Sequence, residues 1–207
     1  TYNEPTVCYE FHKECSDLAH KRNLKNVFVS NGFMTKEMID DYKSLDAANI
    51  DLKAFTDEFY KKTCAGSLEP VLENLKYLKN KGIWVEVTTL IVPNQNDSDD
   101  ELKQIAEFIS NEMDKDTPWH ISAFHPDYKM QDTQATPAET LTRAYEIGKE
   151  AGLHYIYLGN AMVSYGRDTE CPNCGERVIR RKWMEVIENK LDGNKCSNCG
   201  YKIAGRF

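Results

Sequence analysis

The 207-residue chain has no apolar run of 18 residues and no signal-peptide pattern. A soluble, cytoplasmic protein without a membrane partner is therefore expected. Positive charge is scarce: 26 Lys and Arg against 33 Asp and Glu leave a formal net charge of −7, which argues against nucleic acid as a partner. No Gly-rich phosphate loop follows any apolar segment, and there is no repeat or low-complexity tract, which weakens a dinucleotide-binding reading. Seven cysteines is an odd number, and four of them form two Cys-x-x-Cys pairs. That favours metal binding in a reducing compartment over a disulfide framework.

What is present begins with an uneven charge. From Cys171 to Phe207, eight Lys/Arg face four Asp/Glu, leaving −11 on the first 170 residues. This shift suggests a larger unit over 1–166 and a small one over 167–207. The chain opens on Thr1 inside what reads as a motif, so further residues are expected upstream. Within the first unit, β-rich segments centred near residues 28, 51, 87, 122 and 156 alternate with amphipathic helical stretches. A helix is expected over 6–22, with Val7, Phe11, Cys15, Leu18 and Ala19 at helical spacing. Others are expected after Thr35 and Ser67, over 99–113, and from Pro137 to Gly152. This βα rhythm implies parallel strands with right-handed crossovers, a class α/β fold.

Polar residues fall at the ends of these strands. Glu4, Asn31, Lys53, Asn94, His125 and Asn160 each lie at or just past a strand's C-terminal end. In a parallel barrel those ends converge on one mouth, and in an open doubly wound sheet they also hold ligands. A barrel or partial barrel suits the missing phosphate loop better. Asp51 and Lys53 sit two apart in an interior strand and so point to one face. Such a pair is costly to desolvate unless its members pair or meet a polar ligand. Taken alone, an ion pair is the simpler reading, and His125 before Pro126 is more simply a turn residue. His120 reads as a satisfied layer residue.

Cys171-Pro172-Asn173-Cys174-Gly175 and Cys196-Ser197-Asn198-Cys199-Gly200 are two tight knuckles. Four thiolates so spaced make a closed tetrahedral site, zinc being expected and rubredoxin-like iron the alternative. Arg177 to Leu191, between them, alternates like ribbon strands. Cys8, Cys15 and Cys64 read as small apolar residues.

Thr1-Tyr2-Asn3-Glu4-Pro5, Ser30-Asn31-Gly32-Phe33, Asp51-Leu52-Lys53, Ile91-Val92-Pro93 with Asn96-Asp97, and Phe124-His125-Pro126 occur in this order. In that order they resemble the radical S-adenosylmethionine (SAM) enzymes, specifically the group similar to pyruvate formate-lyase activating enzyme. The branch called the AmmeMemoRadiSam system enzymes also carries a C-terminal pair of Cys-x-x-Cys knuckles. The resemblance implies a partial TIM-like (β/α)6 barrel followed by a zinc ribbon. It implies that Asn3 and Glu4 hold the SAM ammonium and that Asn31 lies near the ligand. Lys53 would neutralise the SAM carboxylate, Asp51 would bond a ribose hydroxyl or hold Lys53, and His125 would stack near adenine or substrate. It also implies a [4Fe-4S] cluster, an electron donor, and a 5′-deoxyadenosyl radical that takes hydrogen from a small molecule or a protein, such as a glycyl-radical-type partner. Companion proteins of that system would be further partners. The family's Cys-x-x-x-Cys-x-x-Cys motif is absent here, so the first βα unit and cluster loop are expected upstream. Val29 stands where the formate-lyase activators have an acid. Two other readings stand beside this one: a non-catalytic binding protein, and a barrel lyase using Lys53 as a Schiff-base amine.

Overall fold

The computed structural model describes residues 3–161, 163–183 and 185–207; Thr1 and Tyr2 of the opening motif lie outside them. In chain order the first part consists of α1 (Tyr9–His20), β1 (Val27–Ser30), α2 (Lys36–Asp41) and β2 (Ala47–Asp51). A short helix, α3 (Asp57–Phe59), runs into a π-helical turn at Tyr60–Cys64. Then come α4 (Leu68–Asn80), β3 (Trp84–Ile91), α5 (Asp99–Phe108), β4 (Trp119–Ala123), α6 (Ala138–Glu150) and β5 (Ile156–Gly159). Helix α5 continues as a π-helical turn over Ile109–Met113. Hydroxyl caps start several of these helices: Thr35 accepts from the Met38 amide and Ser98 from the Glu101 amide, satisfying donors a helix start leaves open.

The five strands form one all-parallel sheet in the order β1-β2-β3-β4-β5. Sequential order without reversal is the winding of a βα barrel wall; a doubly wound sheet reverses at a switch point. The strands alternate cleanly. On β3, Val85, Val87, Thr89 and Ile91 are buried, while Trp84, Glu86, Thr88 and Leu90 are half-buried on the other face. The buried face packs on α4 through Val71, Leu75 and Leu78, and on α5 through Leu102, Ile105 and Ala106. Fully burying each such side chain is worth about 1.5–3 kcal/mol, so one helix layer on one sheet face supplies the main core. The opposite face is half-buried and mixed, carrying Trp84, Glu86, Thr88 and Leu90 of β3 beside His120 of β4 and Tyr157 of β5.

Helix α1 departs from expectation. It is shorter than 6–22, and none of its residues is buried. Val7, Phe11 and Leu18 are exposed, as are Leu24, Val27 and Val29 nearby. The apolar stripe exists but nothing among the described residues covers it, and β1 pairs on one side only.

Residues after β5 form the second, smaller part: β6 (Thr169–Glu170), β7 (Arg177–Lys182) and β8 (Glu185–Asn189) in one antiparallel sheet, and β9 (Leu191–Asp192) with β10 (Lys195–Cys196) in another. A separate core of Cys171, Val178, Cys196 and Ile203 is shared with Tyr155 from the end of the βα part. The tail returns to the sheet, where the Arg206 guanidinium donates to the Gly82 carbonyl and the Ala204 amide to the Tyr155 hydroxyl.

Candidate functional site

The C-terminal ends of β1, β2, β3 and β4 surround a cavity of about 420 Å³, lined by Asn31, Lys53, Tyr60, Leu90, Phe124 and Met130 among others. The Glu4 carboxylate reaches the β1 side through Ser30 and Asn31, the second of which lines the cavity. It accepts from the Ser30 hydroxyl at 2.7 Å and from the Asn31 amide at 2.8 Å. The Asn31 side chain in turn accepts from the Phe33 amide at 2.8 Å, and Gly32 makes the bend between them. Gly32 has φ +73°, and a Cβ there would sit 2.7 Å from Ile50 Cγ2, so only glycine fits. Asn3 is exposed beside Glu4.

On β2, Asp51 and Lys53 pair at 2.6 Å, each about one-third exposed, while Leu52 and Ala54 are fully buried on the other face. The Tyr60 hydroxyl accepts from the Lys53 amide at 3.1 Å, and burial raises its ionisation out of the physiological range. Cys64, at the end of the π-helical turn, also lines the cavity, and burial raises its thiol so that it stays neutral. His125 is exposed just past β4, bonded through Nε2 to the Asn160 carbonyl at 3.0 Å. It adjoins Phe124 but does not line the cavity. Asn31 and Lys53 therefore share the cavity, Glu4 and Asp51 stand behind them as their partners, and His125 lies past β4 outside the lining. Asn94 and Asn160 both take left-handed conformations in the turns that leave β3 and β5.

Residues not marked as candidates in the sequence hold this rim in place. Asn74 of α4 donates to the Gly32 and Met34 carbonyls at 2.9 and 2.6 Å. Asn96, fully buried, donates to the Lys53 and Leu90 carbonyls and accepts from the Val92 amide. The Thr136 hydroxyl donates to the Ile91 carbonyl and accepts from the Phe124 amide. Glu101 accepts from the Phe55 amide at 2.7 Å, and burial raises its carboxyl above the usual range. Each satisfies loop backbone that would otherwise be buried without a partner. The Ser98-x-x-Glu101 spacing was a legible signal of a helix start, although Glu101 is spent on the neighbouring loop.

The four ribbon thiols form the second site. Their ligand atoms lie within 4.8 Å of one another, and among the described residues no other group of three or more His, Cys, Asp or Glu side chains gathers this closely. The knuckles are near copies. Gly175 donates to the Cys171 carbonyl at 2.9 Å and Gly200 to the Cys196 carbonyl at 2.8 Å, with φ of +73° and +75°. Burial raises the Cys171 thiol, whereas hydrogen bonds from the Asn173 side chain and the Tyr201 backbone lower that of Cys199.

The family model of the radical SAM superfamily matches residues 1–109. The chain belongs to that superfamily. A protein of Methanocaldococcus jannaschii described as uncharacterized is 46% identical over 205 residues, which are 98% of this chain and 61% of that protein. The pyruvate formate-lyase 1-activating enzyme of Escherichia coli is 26% identical over 156 residues, 69% of this chain and 63% of the enzyme. The chain thus spans about three-fifths of the length of these curated relatives. A crystallised domain of pyruvate-formate lyase-activating enzyme from Bacteroides vulgatus superposes with a TM-score of 0.67 at 17% identity, covering 76% of this chain and 95% of that one. The family implies SAM and a [4Fe-4S] cluster as cofactors.

Proposed function

We propose that this chain is the SAM-binding part of a radical SAM enzyme similar to the pyruvate formate-lyase activators, in the AmmeMemoRadiSam branch. The observation that carries the reading is a cavity at the strand ends lined by Asn31 and Lys53, whose hydrogen-bond partners are the carboxylates of Glu4 and Asp51. The residues present suit SAM. Glu4 uses part of its acceptor capacity on Ser30 and Asn31 and keeps the rest for an ammonium. Lys53 answers a carboxylate, Asp51 a ribose hydroxyl, and His125 offers a flat ring at the adenine end. Asn3 and Asn31 complete the ammonium side.

The cluster does not fit the described residues. Cys8 and Cys15 are exposed on α1, Cys64 lies beside the cavity, and the ribbon thiols are committed to one another. A reduced [4Fe-4S] cluster would supply the electron for reductive cleavage of SAM. Under this reading its ligands would be cysteines other than those described here. The hydrogen donor is then a small molecule or a protein, a glycine in a partner by analogy with the formate-lyase activators. An electron donor and the companion proteins of that branch are the remaining partners.

For the ribbon, we read zinc and a separate unit over 167–207 beside a partial barrel over 1–166. Cys171 and Cys199 sulfurs are 3.6 Å apart and Cys174 and Cys196 sulfurs 3.7 Å. With all four ligand atoms within 4.8 Å of one another, the thiols are close enough to share one tetrahedral ion. A multi-iron cluster would hold the thiolates further apart.

Calorimetric titration of the chain with SAM tests the pocket. Removing one charge-assisted contact with Glu4→Gln or Lys53→Met should weaken SAM by about tenfold or more. SAM affinity unchanged in both variants would sink the assignment. The absence of a cluster site among the described residues favours, as a second reading, a non-catalytic binding protein. Anaerobic reconstitution with iron and sulfide separates the two, since release of 5′-deoxyadenosine above a cluster-free control occurs only in the enzyme. The Schiff-base reading is disfavoured by the Lys53–Asp51 pair, because an ion-paired amine is a poor nucleophile. Borohydride trapping of a Lys53 adduct with a carbonyl compound would revive it.

A further inference from the structure

A second and larger cavity, about 700 Å³, lies between the starts of β3, β4 and β5 on the half-buried face and the ribbon. From the sheet come Trp84, Glu86, His120 and Tyr157; from the ribbon and the loop before it come Arg167 and Arg181, with Trp183 and Arg206 at its border. No role assigned to the mouth uses any of these residues.

The floor of this cavity is a connected polar ladder. His120 meets Glu86 at 2.6 Å, and Trp84 Nε1 donates to the same carboxylate at 3.0 Å. Burial alone would raise Glu86, but those two bonds and the nearby Arg181 outweigh it and hold its carboxyl below the usual range. The His120 ring stacks on Tyr157 at 5.3 Å between centroids. The Arg181 guanidinium lies over the other ring contact, 5.5 Å from the Tyr157 centroid, and donates to Thr169 Oγ1 and the Arg167 carbonyl. Arg167 sits 4.8 Å over the Trp183 ring.

The charges do not balance. Among the described residues, Glu86 is the only Asp or Glu side chain lining the cavity, and it is committed to His120 and Trp84. Among the described residues, the guanidiniums of Arg167, Arg181 and Arg206 take part in none of the ion pairs with Asp or Glu, whereas Arg143, Arg177 and Arg180 each do. Three arginines without carboxylates beside four aromatic rings make a surface for a planar anion: the forks answer a carboxylate, sulfonate or phosphate, and the rings answer a flat apolar body. A volume of several hundred Å³ is that of a small-molecule site.

We propose that this floor cavity is a binding site for an organic anion with an aromatic or otherwise planar body. It stands independently of the SAM pocket. Both nevertheless open on the half-buried face of one strand, since β3 presents Glu86 to the floor and Leu90 to the mouth. Four residues of strand separate them, about 13 Å.

The test uses 2-naphthoate and its neutral counterpart 2-naphthamide, titrated into the metal-loaded chain and followed by quenching of tryptophan fluorescence. The acid should bind about tenfold tighter than the amide, as one charge-assisted contact implies. Arg181→Gln or Arg167→Gln should reduce that preference to about threefold or less while leaving the amide unchanged. Phe11→Ser, on the bare face of α1, should alter neither. Arg181 also braces the ribbon, so metal content is measured for each variant, and Arg167→Gln carries the result if Arg181→Gln loses its metal. Equal binding of acid and amide, no binding of either, or a preference that neither arginine variant moves would overturn the proposal.

Discussion

The two flanks of the sheet are made from the same kind of unit, yet they end in opposite surroundings. At the β4–β5 flank, α6 buries Leu141, Ala144 and Gly148 against Trp119 and Ile156. At the β1 flank, α1 buries nothing and turns Phe11 and Leu18 to solvent. What attaches α1 is polar: the Asn26 side chain donates to the Ser16 carbonyl, His20 bonds Asp46, and the Tyr42 hydroxyl donates to the His12 carbonyl. One flank is held by close packing, the other mainly by hydrogen bonds around the strand starts, with Tyr9 against the Tyr42 ring as its apolar contact. An amphipathic helix thus declares that it has an apolar side, and only the fold says whether that side is used.

Four substitutions would break or sharpen this contrast. Trp119→Ala on the packed flank removes a fully buried ring whose Nε1 donates to Thr89 at 3.0 Å. It should cost about 3–5 kcal/mol in urea denaturation, and a loss below about 1 kcal/mol would show that this flank is not close-packed. Gly148→Ala comes next. Its Cβ would lie 2.6 Å from Ile156 Cδ1 and 3.1 Å from the Trp119 ring. Overpacking of about 1–3 kcal/mol should outweigh the helix propensity gained, so a stabilised variant would contradict the packing.

Asp46 probes the polar flank. Burial acts to raise its pKa, but the Asn26 amide, His20 and Lys25 together lower it to about 2. A carboxylate so depressed stabilises the fold above its unfolded pKa, and that contribution fades as pH falls from about 4 towards 2. Asp46→Asn should therefore cost about 1 kcal/mol at neutral pH, allowing for solvent screening. The gap from the parent should close over that acid range; a gap independent of pH down to about 2 would remove the ion from the account. The smallest effect is expected for Phe11→Ser or Leu18→Ser, within about 0.5 kcal/mol in this chain.

Legibility in the sequence followed the distance over which each feature is specified. The ribbon site was readable because its ligands are three apart within each knuckle and bracketed by glycines. The five strands and the shared face of Asp51 and Lys53 followed from period-two alternation. Asn96 stood in a quoted motif but with no role attached, and the bracing itself was not readable: Asn96 bonds Lys53 across 43 residues, Asn74 bonds Gly32 across 42, and Thr136 bonds Ile91 across 45. No local pattern distinguishes such an asparagine or threonine from one in a solvated loop. The floor cavity escaped for the same reason, since β3 and β7 come together only through the fold. The bareness of α1 is invisible to periodicity, which reports an apolar stripe and not its neighbour.

Asn74, Glu101, Asn96 and Thr136 have one further consequence. They clamp the loops from below, through backbone atoms, so the contour of the opening is inherited from the helix layer and the turns beside it. Of the side chains at the opening, Asn31 and Tyr60 also hold loop amides, whereas the Lys53 ammonium bonds Asp51. A change of grip at Lys53 therefore leaves those backbone contacts in place.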